Sequence, residues 1–224
     1  MFASFKKTIL LSCGPLLCLP GKSYAQLGFG GGFEYSMPVF VNNQVYAKRP
    51  ALGNCGVLSY CPRDSKLFPS FSYLIKSMMV PVFNTFYNGQ DVLATNHNFE
   101  LNLNYRRSDE NNYSVLFIGL GVAQIVPETN MNDNRGNPLS LIDTGNTHLY
   151  PLAQIGGKLM HRILPNSNFY VGLEASLKYI RVHSNDAYYI QNGNNYYKAT
   201  IAGDIIYPGI QLQLYYFFER GKEY

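Results

Sequence analysis

Apolar and polar side chains alternate at every second position along most of this chain. The last such run, Gly209 to Phe218, puts Ile210, Leu212, Leu214, Tyr216 and Phe218 on one face and Gln211 and Gln213 on the other. Successive strand side chains point to opposite sides, so a two-residue period predicts a strand with one apolar and one polar face. Leu27 to Ser36 repeats the pattern, with Leu27, Phe29, Phe33 and Tyr35 opposite Gly28, Gly30, Gly32 and Glu34. His97 to Arg107 sets Phe99, Leu101, Leu103 and Tyr105 against Glu100, Asn102, Asn104 and Arg106. Thr147 to His161 alternates Ala153, Ile155 and Leu159 with Gln154 and Lys158, and Asn168 to His183 places Phe169, Val171, Leu173, Ala175, Leu177 and Tyr179 opposite Glu174, Ser176 and Lys178. Two stretches are less regular. Tyr113 to Gln124 is apolar on both faces, and from Ser70 onward Phe71, Tyr73 and Ile75 alternate with Ser72, Leu74 and Lys76. No helical periodicity competes, so the chain reads as one all-β domain.

Seven strands follow from this pattern, and the connections supply an eighth. Ser108–Asn112 and Leu164–Ser167 are tight polar turns, whereas 85–96, 125–146 and 184–195 are long and polar. Short turns at one end and long loops at the other are the habit of antiparallel barrels that cross an outer membrane. Both chain ends on the short-turn side demand an even strand count. Parity therefore places the eighth strand inside residues 38–68, with Val39 to Tyr46 as the preferred segment.

Alternation alone does not say which face points inward, since a soluble lipocalin-like barrel shows the same period with its faces reversed. The charges decide. Glu34, Glu100, Arg106, Lys158, Glu174 and Lys178 carry both signs in mid-strand on the polar face, where pairing across a narrow lumen offsets the cost of burial. Aromatic residues near strand ends (Tyr35, Tyr105, Tyr113, Tyr150, Phe169, Tyr179, Tyr207, Tyr216 and Phe218) suit an interfacial girdle. The expectation is an eight-stranded antiparallel transmembrane barrel with long extracellular loops and short periplasmic turns.

The first residues set the compartment. Lys6 and Lys7 precede an apolar run from Thr8 to Leu19, and Ser23-Tyr24-Ala25 resembles a small-residue cleavage site. Such an order predicts a signal peptide over residues 1–25 and a mature domain over 26–224. Its removal takes away Lys6, Lys7 and Lys22. The 18 basic residues become 15 against 14 acidic, a net charge of +1. No basic footprint for nucleic acid survives. Cys55 and Cys61 remain, and an even pair in an exported chain predicts a disulfide closing a small loop.

Chemistry is sparse. His97, His148, His161 and His183 are scattered over different segments, without metal-ligand spacing. His183-Ser184-Asn185-Asp186 is the one arrangement near the His/Ser motif of barrel-borne lipid A deacylases, but adjacent His and Ser point to opposite faces of a strand. Asn130 to Gly136 has the oxygen-rich composition of a calcium loop with its Gly one place late, and reads as a solvated turn. Gly28-Phe29-Gly30-Gly31-Gly32 fails the spacing of a phosphate loop and reads as small residues facing a crowded lumen. No cofactor, metal or catalytic residue is assigned.

The chain resembles the small outer-membrane barrel families, such as the transmembrane domain of OmpA and its eight-stranded relatives. The likeness spans 26–218 and is architectural. Its sharpest element is the closing strand, where Tyr207, Gly209, Leu212 and Leu214 match the spacing of a barrel-assembly signal, although Glu219–Tyr224 follow the expected final aromatic. That resemblance implies outer-membrane lipid and lipopolysaccharide as surroundings and the barrel-assembly machinery as a partner during biogenesis. It implies a non-enzymatic envelope or surface-interaction role through the loops, with an extracellular partner the sequence does not identify. A lipid A-modifying enzyme, a small solute channel and a soluble secreted lipocalin-like β-barrel are the alternatives.

Overall fold

The computed structural model describes residues 25–41, 45–47, 49–62, 65–83, 90–108, 112–127, 130–132, 138–143, 149–164, 167–182, 187–192, 195–201 and 203–218. In chain order, β1 (Ala25–Ser36) leads into a short hairpin of β2 (Val39–Val41) and β3 (Val45–Ala47), followed by β4 (Ala51–Pro62) and β5 (Leu67–Phe83). Next come β6 (Gln90–Ser108) and β7 (Asn112–Pro127), then two short strands, β8 (Asn130–Asn132) and β9 (Pro138–Asp143). The chain continues through β10 (Leu149–Arg162), β11 (Phe169–Ile180), the hairpin β12 (Ala187–Asn192) and β13 (Asn195–Ile201), and ends with β14 (Asp204–Phe218).

Eight strands close a ring in the order β1, β4, β5, β6, β7, β10, β11, β14, each antiparallel to the next, with β14 returning to β1. Cross-strand partners give the stagger. From Gly30 they run through Val57, Ser72, Glu100, Gly121, Leu152, Ile180 and Ile205 to Phe40, ten residues (40 − 30) beyond the start. Closure with stagger tilts strands by roughly 35–45° from the barrel axis. Each residue then climbs about 2.5 Å along that axis.

The eighth strand lies within 38–68, as parity requires, but it is β4 rather than Val39 to Tyr46. The expected segment supplies β2 and β3, which prolong the β1–β4 hairpin beyond the barrel body. β2 keeps the register of β1 on β14, with Phe40 opposite Ile205. Pro38 interrupts the ladder between them because it has no N–H to donate, while Met37 N–H donates to Pro208 O at 3.0 Å. Cys55 and Cys61 overturn a second expectation. Neither is part of a disulfide, and they sit six residues apart on β4. Along a strand that is about 20 Å, whereas bridged cysteines need Cα atoms within about 7 Å. An even cysteine count predicts pairing only where the backbone can turn back on itself.

Parts of the expected loops are also strands. Gln90 to Asn96 belongs to β6, Ile125 to Pro127 belongs to β7, and β8, β9 and β12 fall within 125–146 and 184–195. β13 pairs with the end of β5 (Thr200 with Phe83, Ile201 with Val82), β12 pairs with β9, and β9 with β8. This sheet extends the wall beyond one rim of the ring. At the other rim, consecutive strands are joined by short segments such as 63–66 and 109–111.

The two faces of the wall differ sharply. Phe33, Leu120 and Leu212 are 69 %, 70 % and 55 % exposed on the outside. Outward apolar residues run from Leu116 to Val122 on β7, Phe169 to Leu177 on β11 and Tyr216 to Ile206 on β14. At about 2.5 Å per residue these runs span roughly 15–25 Å along the axis. Arg107, Ser114 and His161 bound this belt toward the short-turn rim, and Ser77, His97, Gln124, Arg181 and Asp204 toward the other.

Candidate functional site

The interior of the ring is where the polar residues converge, and it is built in three layers. In the middle lies a chain of charges. Glu34, buried on β1, holds two lysines: Lys76 Nζ lies 2.9 Å from Oε1 and Lys178 Nζ 3.0 Å from Oε2. Lys178 also lies 2.9 Å from Glu100 Oε1. Glu100 Oε2 accepts from Ser72 Oγ at 2.7 Å and from Gln154 Nε2 at 3.0 Å. On the side nearer the short turns, Lys158 pairs with Glu174 at 2.9 Å and donates to the Tyr215 hydroxyl. Gln211 and Gln213 join the two groups. Gln211 donates to Glu34, Gln213 donates to Gln211 and, at 3.4 Å, to Glu174, and Tyr215 donates to Gln213.

The strand period explains this convergence. Glu34, Lys76, Glu100, Lys158, Glu174 and Lys178 all occupy inward positions of their strands, and the stagger of the ring brings distant strands to one depth. Three carboxylates meet three ammonium groups, so the layer is neutral. Among the residues expected in this network, Glu34, Glu100, Lys158, Glu174 and Lys178 come together here. Arg106 lies lower, near the short-turn rim, where its guanidinium donates to Cys61 Sγ at 3.1 Å and to Ser65 O at 3.3 Å and faces the Tyr113 ring. Lys76 is the cation that sequence reading left out. Its place opposite Phe71, Tyr73 and Ile75 was visible, but Leu74 and Met78 on the same face blurred the polar signal.

The layers above and below are built mainly of apolar side chains. Toward the long-loop rim, Phe40, Met78, Ile125, Tyr150, Ile180, Ile205 and Tyr207 pack with smaller apolar residues into one buried cluster. Tyr150 and Tyr207 belong to it and Tyr113 packs in the lower cluster, so these three aromatics face the lumen rather than an outer girdle. Toward the short-turn rim, Val57, Met160, Tyr170 and Tyr215 pack with Tyr113 and Phe217, beside Cys61, Phe68 and Val115. Gly28 and Gly30 of β1 belong to this layer. A Cβ on Gly28 would stand 2.6 Å from the Phe217 ring, and one on Gly30 2.5 Å from the Tyr215 ring. Glycine there lets an aromatic ring lie flat against the opposite backbone.

Two small cavities lie among the described residues of the interior. A cavity of about 10 Å³ beside Ser72, Asn102, Glu174 and Gln213, and one of about 20 Å³ beside Cys61, Arg106 and Phe217, each suit a water molecule or so. Among the described residues no group of three His, Cys, Asp or Glu is placed to hold a metal ion. His161 Nδ1 meets Asn112 Oδ1 at 2.6 Å and His97 Nδ1 meets the Tyr73 hydroxyl at 2.7 Å, both on the outer surface. His148 and the His183–Asp186 segment lie outside the described residues. So do residues 1–24, most of the expected leader, and all but Asn130–Asn132 of the Asn-rich stretch 130–136.

No family model matches this sequence, and no curated protein matches it. Solved structures do. A major outer membrane protein from Thermus thermophilus aligns over 84% of this chain and 99% of its own, at 8% identity and a TM-score of 0.51. The outer membrane protein OprG from Pseudomonas aeruginosa aligns over 89% of this chain and 98% of its own, at 11% identity and a TM-score of 0.50. At such identities the likeness speaks to the fold, a closed antiparallel barrel, and to nothing finer.

Proposed function

We propose that this chain is an integral barrel of a bacterial outer membrane with a structural or surface-interaction role, exported by a leader near residues 1–25. One observation carries the reading: an outward apolar belt encloses an inward layer of paired charges. Water around such a molecule would leave a continuous apolar surface exposed, far larger than soluble monomers present. Lipid around it suits both faces at once, since the belt strands pair with one another around a closed ring. The likeness of fold to outer membrane proteins supports the same placement.

Short turns facing the periplasm and the long-loop rim facing outward follow the habit of such barrels. Lipopolysaccharide would then surround the upper belt, and the barrel-assembly machinery would insert the chain. The packed lumen argues against a solute channel, because apolar clusters and ion pairs cross the described interior at three depths. The extension built by β8, β9, β12 and β13 gives the outward rim a platform for binding, and loops on a rigid scaffold are where binding usually resides. A deacylase reading rests on His183 and Ser184 alone, and replacing either with Ala while profiling lipid A acylation tests it directly.

The decisive experiment is gel migration of membrane-extracted protein with and without boiling, paired with surface proteolysis of intact cells. Expected are a compact band that shifts on heating and cleavage confined to the long-loop rim. A protein found in the soluble periplasmic fraction, with no heat shift, removes the reading. Purified protein in planar bilayers is expected to show no steady conductance.

A further inference from the structure

We infer that this barrel pairs with a second copy of itself through the outer face of β1 and β4, across Asn54; the inference rests on the membrane placement proposed above. Asn54 is exposed and faces outward within the belt, between Leu52 and Leu58 on its own strand. Its cross-strand partners are Phe33 and Ile75. Among the described outward residues of the belt, every other polar side chain is a tyrosine, and Asn54 alone carries an amide. Its side chain has no hydrogen-bond partner among the described residues. In hydrocarbon an unpaired amide is costly, and a partner at the same depth relieves it.

The surface beside Asn54 favours close approach. Gly31 and Gly56 face each other across β1 and β4 just below it. A Cβ added to Gly56 meets nothing within 4 Å. The two glycines form a shallow floor beneath the rims set by Phe33 and Leu58, where a neighbouring barrel can bring its wall near. Small residues and an amide are the features that drive association inside membranes, where apolar burial against lipid gains little.

Why a second copy rather than another protein? All copies insert in the same sense, so a two-fold axis along the membrane normal returns each residue to its own depth. An amide both donates and accepts, and Asn54 of one barrel therefore meets in Asn54 of the other a group that can accept from it and donate to it in return. Any other occupant would need a matching polar group at that same depth.

The test uses full-length protein in phosphatidylcholine vesicles over a wide range of protein-to-lipid ratios, with dimer fraction read by single-molecule step counting. Wild type is compared with Asn54→Leu and Gly56→Leu. Leucine suits a lipid-facing position and Gly56 has open space above it, so neither change threatens the barrel. Heat-shifted migration is scored first for each protein. Failure to insert would sink the membrane placement itself, whereas inserted protein tests the pairing alone. Expected is a concentration-dependent dimer, weakened about 3- to 20-fold by each substitution. Wild type that stays monomeric at every ratio, or either variant tracing the wild-type curve, overturns the pairing.

Discussion

Lys178 shows how much a single side chain carries in the lumen. It is 1 % exposed and bridges Glu34 and Glu100, on strands separated around the ring. Two buried carboxylates that share one cation lose much more than an ion pair when it goes, because each charge is left in a medium that solvates it poorly. Lys178→Met is therefore expected to cost roughly 3–5 kcal/mol in urea unfolding from lipid vesicles, and Lys178→Met combined with Glu100→Gln should recover part of that loss. A double variant as unstable as the sum of the singles would show that the two groups do not interact. Asn98 behaves in the opposite way. It is fully buried beside Leu74 and Ala123, and neither amide atom meets a partner among the described residues. Removing an unsatisfied buried amide while keeping its volume relieves desolvation. Asn98→Leu should raise the unfolding midpoint, by up to about 1–3 kcal/mol in stability, and a lowered midpoint would reveal a partner that Asn98 depends on.

At the scale of strands, β5 explains both what the sequence disclosed and what it hid. Its outer face, Phe71, Tyr73 and Ile75, lies in the belt, while its inner face changes character on the way up: Ser70 and Ser72, then Leu74, Lys76, and finally Met78 and Val80. A strand that passes from a polar lumen into an apolar upper layer cannot keep a clean two-residue period. β7 is similar, with Val115, Phe117, Ala123 and Ile125 inside and Leu116 to Val122 outside. By contrast, β6, β11 and β14 keep polar residues inward through the belt, and their faces could be read directly. β4 went unrecognised because Asn54 and Gly56 break its apolar outer row and Gly53, Cys55 and Val57 its polar inner one. The ion pairs needed more than the period, since which charges meet depends on a ten-residue stagger that no single strand encodes. The belt itself gives a test along one strand. Leu120 and Val126 both face outward on β7, but only Leu120 lies between the polar boundaries. Leu120→Arg is expected to cost about 2–4 kcal/mol in vesicle unfolding, and Val126→Arg about 0–1 kcal/mol. Equal costs at the two positions would mean that the belt ends elsewhere.

For the molecule as a whole, the layering of the interior separates what the bilayer holds from what the protein must hold for itself. The ionic middle and the aromatic base sit at belt depth, where lipid confines the ring from outside. The upper cluster around Tyr207 sits level with His97, Gln124 and Arg181, beyond the belt, so its walls stand in water and need an apolar core as a soluble barrel does. Tyr207 is central to that core. It is fully buried, accepts from Asn96 Nδ2 at 3.2 Å, donates to Met78 Sδ at 2.9 Å, and carries Lys76 Nζ 3.7 Å above its ring. Replacing a buried aromatic residue by Ala typically costs about 3–5 kcal/mol. Here the loss should fall on the upper strands, because they open without extracting any belt residue from lipid. Tyr207→Ala is therefore expected to keep its heat-shifted migration while trypsin cuts at Arg181 many times faster than in wild type. Tyr215→Ala, with its ring in the base of the lumen, should lower the unfolding midpoint and leave the Arg181 cut nearly unchanged. If both variants gained the same sensitivity at Arg181, the interior would respond as one cooperative unit, and the division into a lipid-held barrel and a self-supporting upper core would be wrong.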